Sequence, residues 1–153
     1  MKSVATFLAF LLLVLGGGIT IGFVTAPGVW YASLDKPFFN PPNWIFGPVW
    51  TALYIMIAYT GWRVWLHKDS AILKRLWVVQ LCLNFLWSPV FFAAQMPGLA
   101  LAIIAGLLLV IVAFVKTSWH QDRVSSVLFL PYVGWVGFAL TLNAAIFYLN
   151  PAV

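Results

Sequence analysis

Five stretches of this chain, residues 4–24, 44–66, 76–95, 99–115 and 124–149, are apolar almost throughout, and none holds an Asp or a Glu. About 20 apolar helical residues cross the hydrocarbon layer of a bilayer. Inside that layer the backbone finds no water, so a single segment satisfies its amides by coiling into a helix. The pattern predicts an all-α integral membrane protein, a five-transmembrane-helix bundle that forms one domain over residues 1–153. Composition agrees. The chain is 64% hydrophobic and 7% charged, where a soluble domain carries about 25% charged residues. The first apolar run is longer than a signal-peptide core and no A-x-A site follows it, so it reads as a retained span.

Charge placement orients the bundle. Five crossings put Lys2, Arg63, Lys68, Lys74, Arg75, Lys116 and Arg123 on one face and leave Lys36 alone on the other. The positive-inside rule then predicts a cytoplasmic N-terminus with cytoplasmic second and fourth loops. The first loop, residues 26–43, and the C-terminus lie opposite. Arg63, one turn from a span end, is expected to snorkel to the interface. The net charge of +5 reads as topology signal and lipid head-group attraction, with membrane lipid rather than nucleic acid as the partner. Trp62, Trp65, Trp77 and Trp119 cluster near the basic face and read as an interfacial belt.

Proline punctuates the spans. Pro89 and Pro131 each remove an amide donor inside a helix, and Pro48 crowds the first turn of the second span, so bends are expected at all three. Small residues recur every fourth position at Gly18 and Gly22, at Gly98, Ala102 and Gly106, and at Gly137, Thr141 and Ala145. Such ridges suit close helix packing within the bundle or a homodimer face. The first loop holds Trp30, Tyr31, Phe38 and Phe39 among Pro37, Pro41 and Pro42. It reads as an extended, turned lid rather than a helix.

Several chemistries are disfavoured. No ionisable residue lies at mid-membrane, which argues against ion-coupled transport. His67 and His120 stand at span ends without a second metal ligand, so no metal site is expected. Asp35 falls on the opposite face from Asp69 and Asp122, which argues against paired acid–base catalysis. Cys82 is alone and forms no intrachain disulfide. Phosphate loops and nucleophile elbows are absent.

What the spans do offer is aromatic surface with a few polar atoms, the make-up of a pocket for a flat apolar ligand. Trp50 and Tyr54 are four residues apart on one helical face. Asn84, Trp87, Ser88 and Phe91 share a face of the third span. Trp135, Ala139 and Leu142 or Asn143 share a face of the fifth. Indole N–H groups and the Asn84 amide are candidate donors to a ligand carbonyl or carboxylate. A buried Asn in lipid requires a partner, on another helix or on a ligand.

The run Trp30-Tyr31-x-x-Leu34-x-Lys36-Pro37-x-x-x-Pro41-Pro42 resembles the first loop of the TspO/MBR family, the translocator proteins or peripheral-type benzodiazepine receptors. Trp50, the L-N-F-L-W-S-P-V-F-F run from Leu83 to Phe92, and P-Y-V-G-W from Pro131 to Trp135 extend the resemblance over essentially the whole chain. The resemblance implies a five-helix bundle, often homodimeric, that binds protoporphyrin IX, haem, sterols and synthetic drug-like ligands. It implies Trp50 and Trp135 as pocket tryptophans, Asn84 as a polar contact, Ala139 as a small pocket residue, and Trp30 and Tyr31 as lid. No cofactor is required; a porphyrin is the implied ligand. Some members are implied to degrade protoporphyrin in light, which would make Trp50 and Trp135 catalytic in a photo-oxidative sense, and the sequence leaves that enzymatic question open. Leu142 and Tyr148 start the sterol-recognition pattern, but residues 150–153 supply no Lys or Arg, which argues against a high-affinity sterol site and favours a bacterial member in a cell membrane. The expected function is a tetrapyrrole-binding, translocator-like sensor. Porphyrin degradation, facilitated transport of hydrophobic molecules and a scaffold role are the alternatives.

Overall fold

The computed structural model describes residues 2–66 and 71–151. His67, Lys68 and Asp69, like Met1, Ala152 and Val153, lie outside the described residues. Five helices are long and apolar enough to cross a membrane: Val4–Val24, Asn43–Leu66, Ala71–Ala93, Pro97–Ser118 and Arg123–Leu149. No strand occurs among the described residues. The chain is a multi-pass integral membrane protein.

The spans follow the expected boundaries with physical exceptions. The third begins at Ala71, a turn earlier than the apolar run, because Lys74 and Arg75 continue the helix beyond its apolar part. The fourth begins at Pro97 rather than 99. Proline suits the first helical position, where its missing amide has no partner to lose. The reversal before it falls on Gln95, which adopts φ 56°.

The three prolines affect the helical hydrogen bonding differently. At Pro89 the third span widens into a π-helical turn, Pro89–Ala93. The Ala94 amide reaches back to the Pro89 carbonyl at 2.9 Å. Pro48 sits in the first turn of a helix that runs from Phe46, after a 3-10 turn at Asn43–Ile45. Pro131, by contrast, stays inside one continuous helix, Arg123–Leu149. The lid also departs from expectation, since Val29–Ser33 forms a turn of α-helix before the chain extends through Leu34.

The fourth and fifth spans pack along each other most extensively, and the third packs on the fourth. The second contacts the third and the fifth, and holds the N-terminal half of the first. The C-terminal half of the first span, Gly17–Val24, packs on the third and, at Gly18, on Tyr54 of the second. The main core includes Ile57, Ile104, Phe114, Phe129 and Tyr132. A second cluster joins the lid residues Tyr31 and Leu34 to Phe91, Ala100, Leu142 and Ile146, so the lid is folded onto the bundle.

Two expectations at the basic end are corrected. Arg63 does not merely snorkel: it forks onto Asp122, Nη2 to Oδ1 at 2.8 Å and Nε to Oδ2 at 3.1 Å. Asp122 also caps the fifth span, accepting from the Ser125 amide and hydroxyl. Burial pushes the Asp122 carboxyl up, but the Arg63 guanidinium and the Ser125 bonds outweigh it and hold it below its ordinary value. Trp77 is no belt residue. It is 2% exposed, donates its indole N–H to the Ile57 carbonyl at 3.0 Å and fills the notch left by Gly61. Trp62 and Trp65 pack on Phe7 and Phe10 of the first span, and Trp119 lies exposed under the Arg123 guanidinium.

Candidate ligand-binding site

A gap opens beneath the lid. It is a cavity of about 550 Å³, bounded by the first, second, third and fifth spans and by the lid. Ligand pockets run from about 300 to 1,000 Å³. No acidic, basic or histidine side chain lines it.

Most of the sequence-predicted residues meet here. Trp50 and Tyr54 from the second span line the cavity, as do Asn84, Trp87, Ser88 and Phe91 from the third, Ala139 from the fifth, and Tyr31 from the lid. The helical spacing accounts for this, with i and i+4 pairs on one face. Trp50 stacks on Tyr54, ring centres 5.4 Å apart, and Trp87 stacks on Phe91 at the same separation. The π-helical turn after Ser88 carries both Phe91 and Phe92 to the wall.

Two predicted residues do not line the cavity. Trp30 packs edge-on against Phe91. Trp135 packs against Phe46 and Phe138, and its indole N–H is buried without a hydrogen-bond partner. Of the two predicted pocket tryptophans, Trp50 therefore lines the cavity, and Trp135 packs on Phe46, itself a wall residue. Phe46, Phe92 and Thr25 are wall residues that the sequence reading missed. Phe46 belongs to a proline-disturbed entry whose periodicity is unreadable. The signal for Thr25, a polar residue at the end of an apolar run, was present.

The polar atoms at the wall are largely engaged. Tyr54 donates to Asn84 Oδ1 at 3.2 Å, and Asn84 donates its amide to Tyr132 Oη at 2.8 Å. The Asn84 partner is thus found on other helices. Trp87 donates its indole N–H to Asn143 Oδ1 at 3.0 Å, and Asn143 donates to the Pro97 carbonyl at 2.9 Å. Thr25 gives its hydrogen to the Ile21 carbonyl, so Ser88 donates to Thr25 across 2.6 Å. At the lid, Tyr31 donates to Asn40; burial pushes its hydroxyl pKa above the ordinary value, and the Asn40 bond only partly offsets this. Lys36 turns back onto the Ala32 and Leu34 carbonyls and lies over the Tyr31 ring. The lid is tied to the far end of the fifth span by reciprocal bonds: Asn150 donates to the Asp35 carbonyl at 2.9 Å, and the Asp35 amide donates to Asn150 Oδ1 at 3.0 Å.

This placement separates the two tryptophans experimentally. Trp135→Phe removes a buried donor that has no acceptor, so stability in detergent is expected to stay within about 0.5 kcal/mol of the parent or rise. Ligand affinity is expected to stay within about twofold. Trp50→Phe strips indole area from the wall itself and is expected to weaken a flat aromatic ligand about tenfold. Thermal unfolding and ligand titration of both variants check the contrast.

Comparison with known proteins now places the chain. The sequence pattern of the TspO/MBR family matches residues 9–149. A "Tryptophan-rich protein TspO" of Archaeoglobus fulgidus is 43% identical over 98% of this chain and 97% of its own length. A "Tryptophan-rich sensory protein" of Cereibacter sphaeroides is 36% identical over 95% of this chain and 92% of its own. The human "Translocator protein" is 38% identical over 79% of this chain and 75% of its own. With the match running through the lid and all the helices that wall the cavity, the chain belongs to the TspO/MBR family.

Proposed function

We propose that this membrane protein is a tetrapyrrole-binding sensor or translocator, with protoporphyrin IX or haem as its ligand class. The observation that carries the reading is the uncharged, aromatic-walled cavity under a folded lid. Stacked pairs at Trp50–Tyr54 and Trp87–Phe91 offer rings for a flat macrocycle, and four helices plus the lid converge on it. The relatives' names, a sensory protein and a translocator, support a receptor or transport role. Positive-inside asymmetry supports a cell-membrane orientation with the lid opposite the cytoplasm.

Titration of the purified protein with protoporphyrin IX tests this. Saturable quenching of tryptophan fluorescence is expected, weakened about tenfold in Trp50→Phe. Absence of saturable binding, or equal binding by Trp50→Phe, sinks the assignment. One observation favours light-dependent porphyrin degradation as a second reading: two oxidisable indoles, Trp50 and Trp87, stand in the wall. Many porphyrins consumed per protein under light and oxygen would establish turnover. Stoichiometric bleaching with oxidised tryptophan would reduce it to quenching.

A further inference from the structure

A chain of hydrogen bonds runs from the cavity into the closed core. Tyr54 donates to Asn84 Oδ1, Asn84 Nδ2 donates to Tyr132 Oη at 2.8 Å, and Tyr132 donates to Gln80 Oε1 at 2.9 Å. Tyr54 and Asn84 line the cavity. Tyr132 and Gln80 are fully buried behind them, and neither touches it. Every bond points the same way, away from the cavity. With Asn84 Oδ1 turned toward Tyr54 and Gln80 Oε1 toward Tyr132, the direction of each link follows, because each tyrosine owns one hydrogen.

Polarity at the deep end therefore fixes chemistry at the cavity. Gln80 takes the Tyr132 hydrogen. Asn84 must then face Tyr132 with its NH2 and Tyr54 with its oxygen. Tyr54 in turn spends its hydrogen on Asn84 and has only lone pairs left for a ligand in the cavity it lines. Donating also makes the Tyr54 oxygen a stronger acceptor, since bonds in such chains polarise one another.

We propose that Tyr54 is a specificity-determining acceptor for ligands that carry a neutral N–H or O–H donor, and that Gln80, out of reach of the ligand, is the positioning residue that sets this preference. The proposal rests on the cavity being a ligand site but not on the ligand being a tetrapyrrole. The absence of charge in the wall fits a neutral donor rather than an ammonium or a carboxylate. Gln80 also has a cost that packing alone does not explain. Its Nε2 is buried with no partner, so its bond to Tyr132 is made through the oxygen alone.

Two flat neutral probes of similar shape test the idea: carbazole, which offers an N–H donor, and 9-fluorenone, which offers a carbonyl acceptor. Equilibrium dialysis against the full-length protein in detergent gives their affinity ratio. The Trp50 indole N–H can serve an acceptor in every variant, so the change in ratio from the parent reads Tyr54. Tyr54→Phe removes the accepting oxygen and is expected to lower the carbazole-to-fluorenone ratio about fivefold, with fluorenone affinity nearly unchanged.

Gln80→Leu deletes the terminal acceptor. To avoid stranding a buried hydroxyl, Tyr132 then donates to Asn84 Oδ1, the Asn84 amide turns over to donate to Tyr54, and the Tyr54 hydrogen is freed toward the cavity. The ratio is expected to fall further than in Tyr54→Phe, by about tenfold or more from the parent, with fluorenone binding strengthened. A merely structural role for Gln80 would weaken both probes together.

An unchanged ratio in Tyr54→Phe overturns the proposal, and this variant keeps its ring and its packing. Parallel loss of both probes in Gln80→Leu removes the role of Gln80. Failure of both probes to bind the parent also overturns the proposal, while the protoporphyrin titration judges the tetrapyrrole reading separately.

Discussion

Gly61→Ala is expected to cost about 3 kcal/mol of stability, at the upper end of the usual penalty for overpacking a core. A β-carbon at position 61 would clash with Cζ2 and Cε2 of Trp77 and lie 2.9 Å from Cδ1 of Phe10. The indole has nowhere to retreat. Its N–H is bonded to the Ile57 carbonyl at 3.0 Å, and Phe10 and Trp65 hold it edge-on with ring centres 5.3 and 5.4 Å away. Gly134→Ala is the control, since no neighbouring atom lies within 4 Å of a β-carbon there. It is expected to be neutral or to gain up to about 1 kcal/mol from helix propensity. Thermal unfolding in detergent, followed by near-ultraviolet circular dichroism, compares the two. Equal stability of Gly61→Ala and the parent would mean that the first, second and third spans do not close on Trp77.

Asp122→Ala is expected to destabilise by a similar amount, about 3 kcal/mol. Removing one partner of a largely buried pair leaves the other charge uncompensated, although Arg63 keeps 27% side-chain exposure and water recovers part of the loss. The fifth span also loses its cap, which costs about 1 kcal/mol. A double-mutant cycle with Arg63→Ala should give a coupling of about 1–2 kcal/mol, and a value near zero would show the fork to be inert. The pH dependence has a definite sign. The folded carboxyl lies below its ordinary value of 3.8, so the stabilisation is fully present above that pH and is lost as the pH falls through the lowered value. The gap between parent and Asp122→Ala should be flat from neutrality down to about pH 4 and close only in stronger acid.

Much of the candidate site was legible because it depends on local spacing. Trp50 with Tyr54, and Asn84 with Ser88, are four apart, and an α-helix sets such pairs on one face whatever surrounds it. The lid was recognisable from its aromatics and prolines, although the helical turn at Val29–Ser33 was not, since burial of Tyr31 against Phe91 stabilises it. Trp77 was misread because a tryptophan near a span end has the same sequence signature whether it faces head groups or a notch. Gly61 forms that notch, and a lone glycine in a helix signals a close approach without naming the partner. Trp135 was misplaced for a different reason: it shares a helix face with Ala139, which lines the cavity, but it stands one turn further along the fifth span, where it packs on Phe46 and Phe138.

The sequence by itself determined five crossings, the charge asymmetry between the two faces, and the lid that joins the first two spans. Those depend on length, hydropathy and charge, which a linear reading measures directly. Only the tertiary structure decided which side of each helix turns inward. A membrane helix is apolar all round, so its hydropathy carries almost no azimuthal signal. The azimuth follows from how Gly18 admits the Tyr54 ring, how Gly61 admits Trp77, and how the Arg63–Asp122 fork ties the second span to the fifth. Those long-range fits put Trp50 in the cavity wall and leave Trp135 outside it.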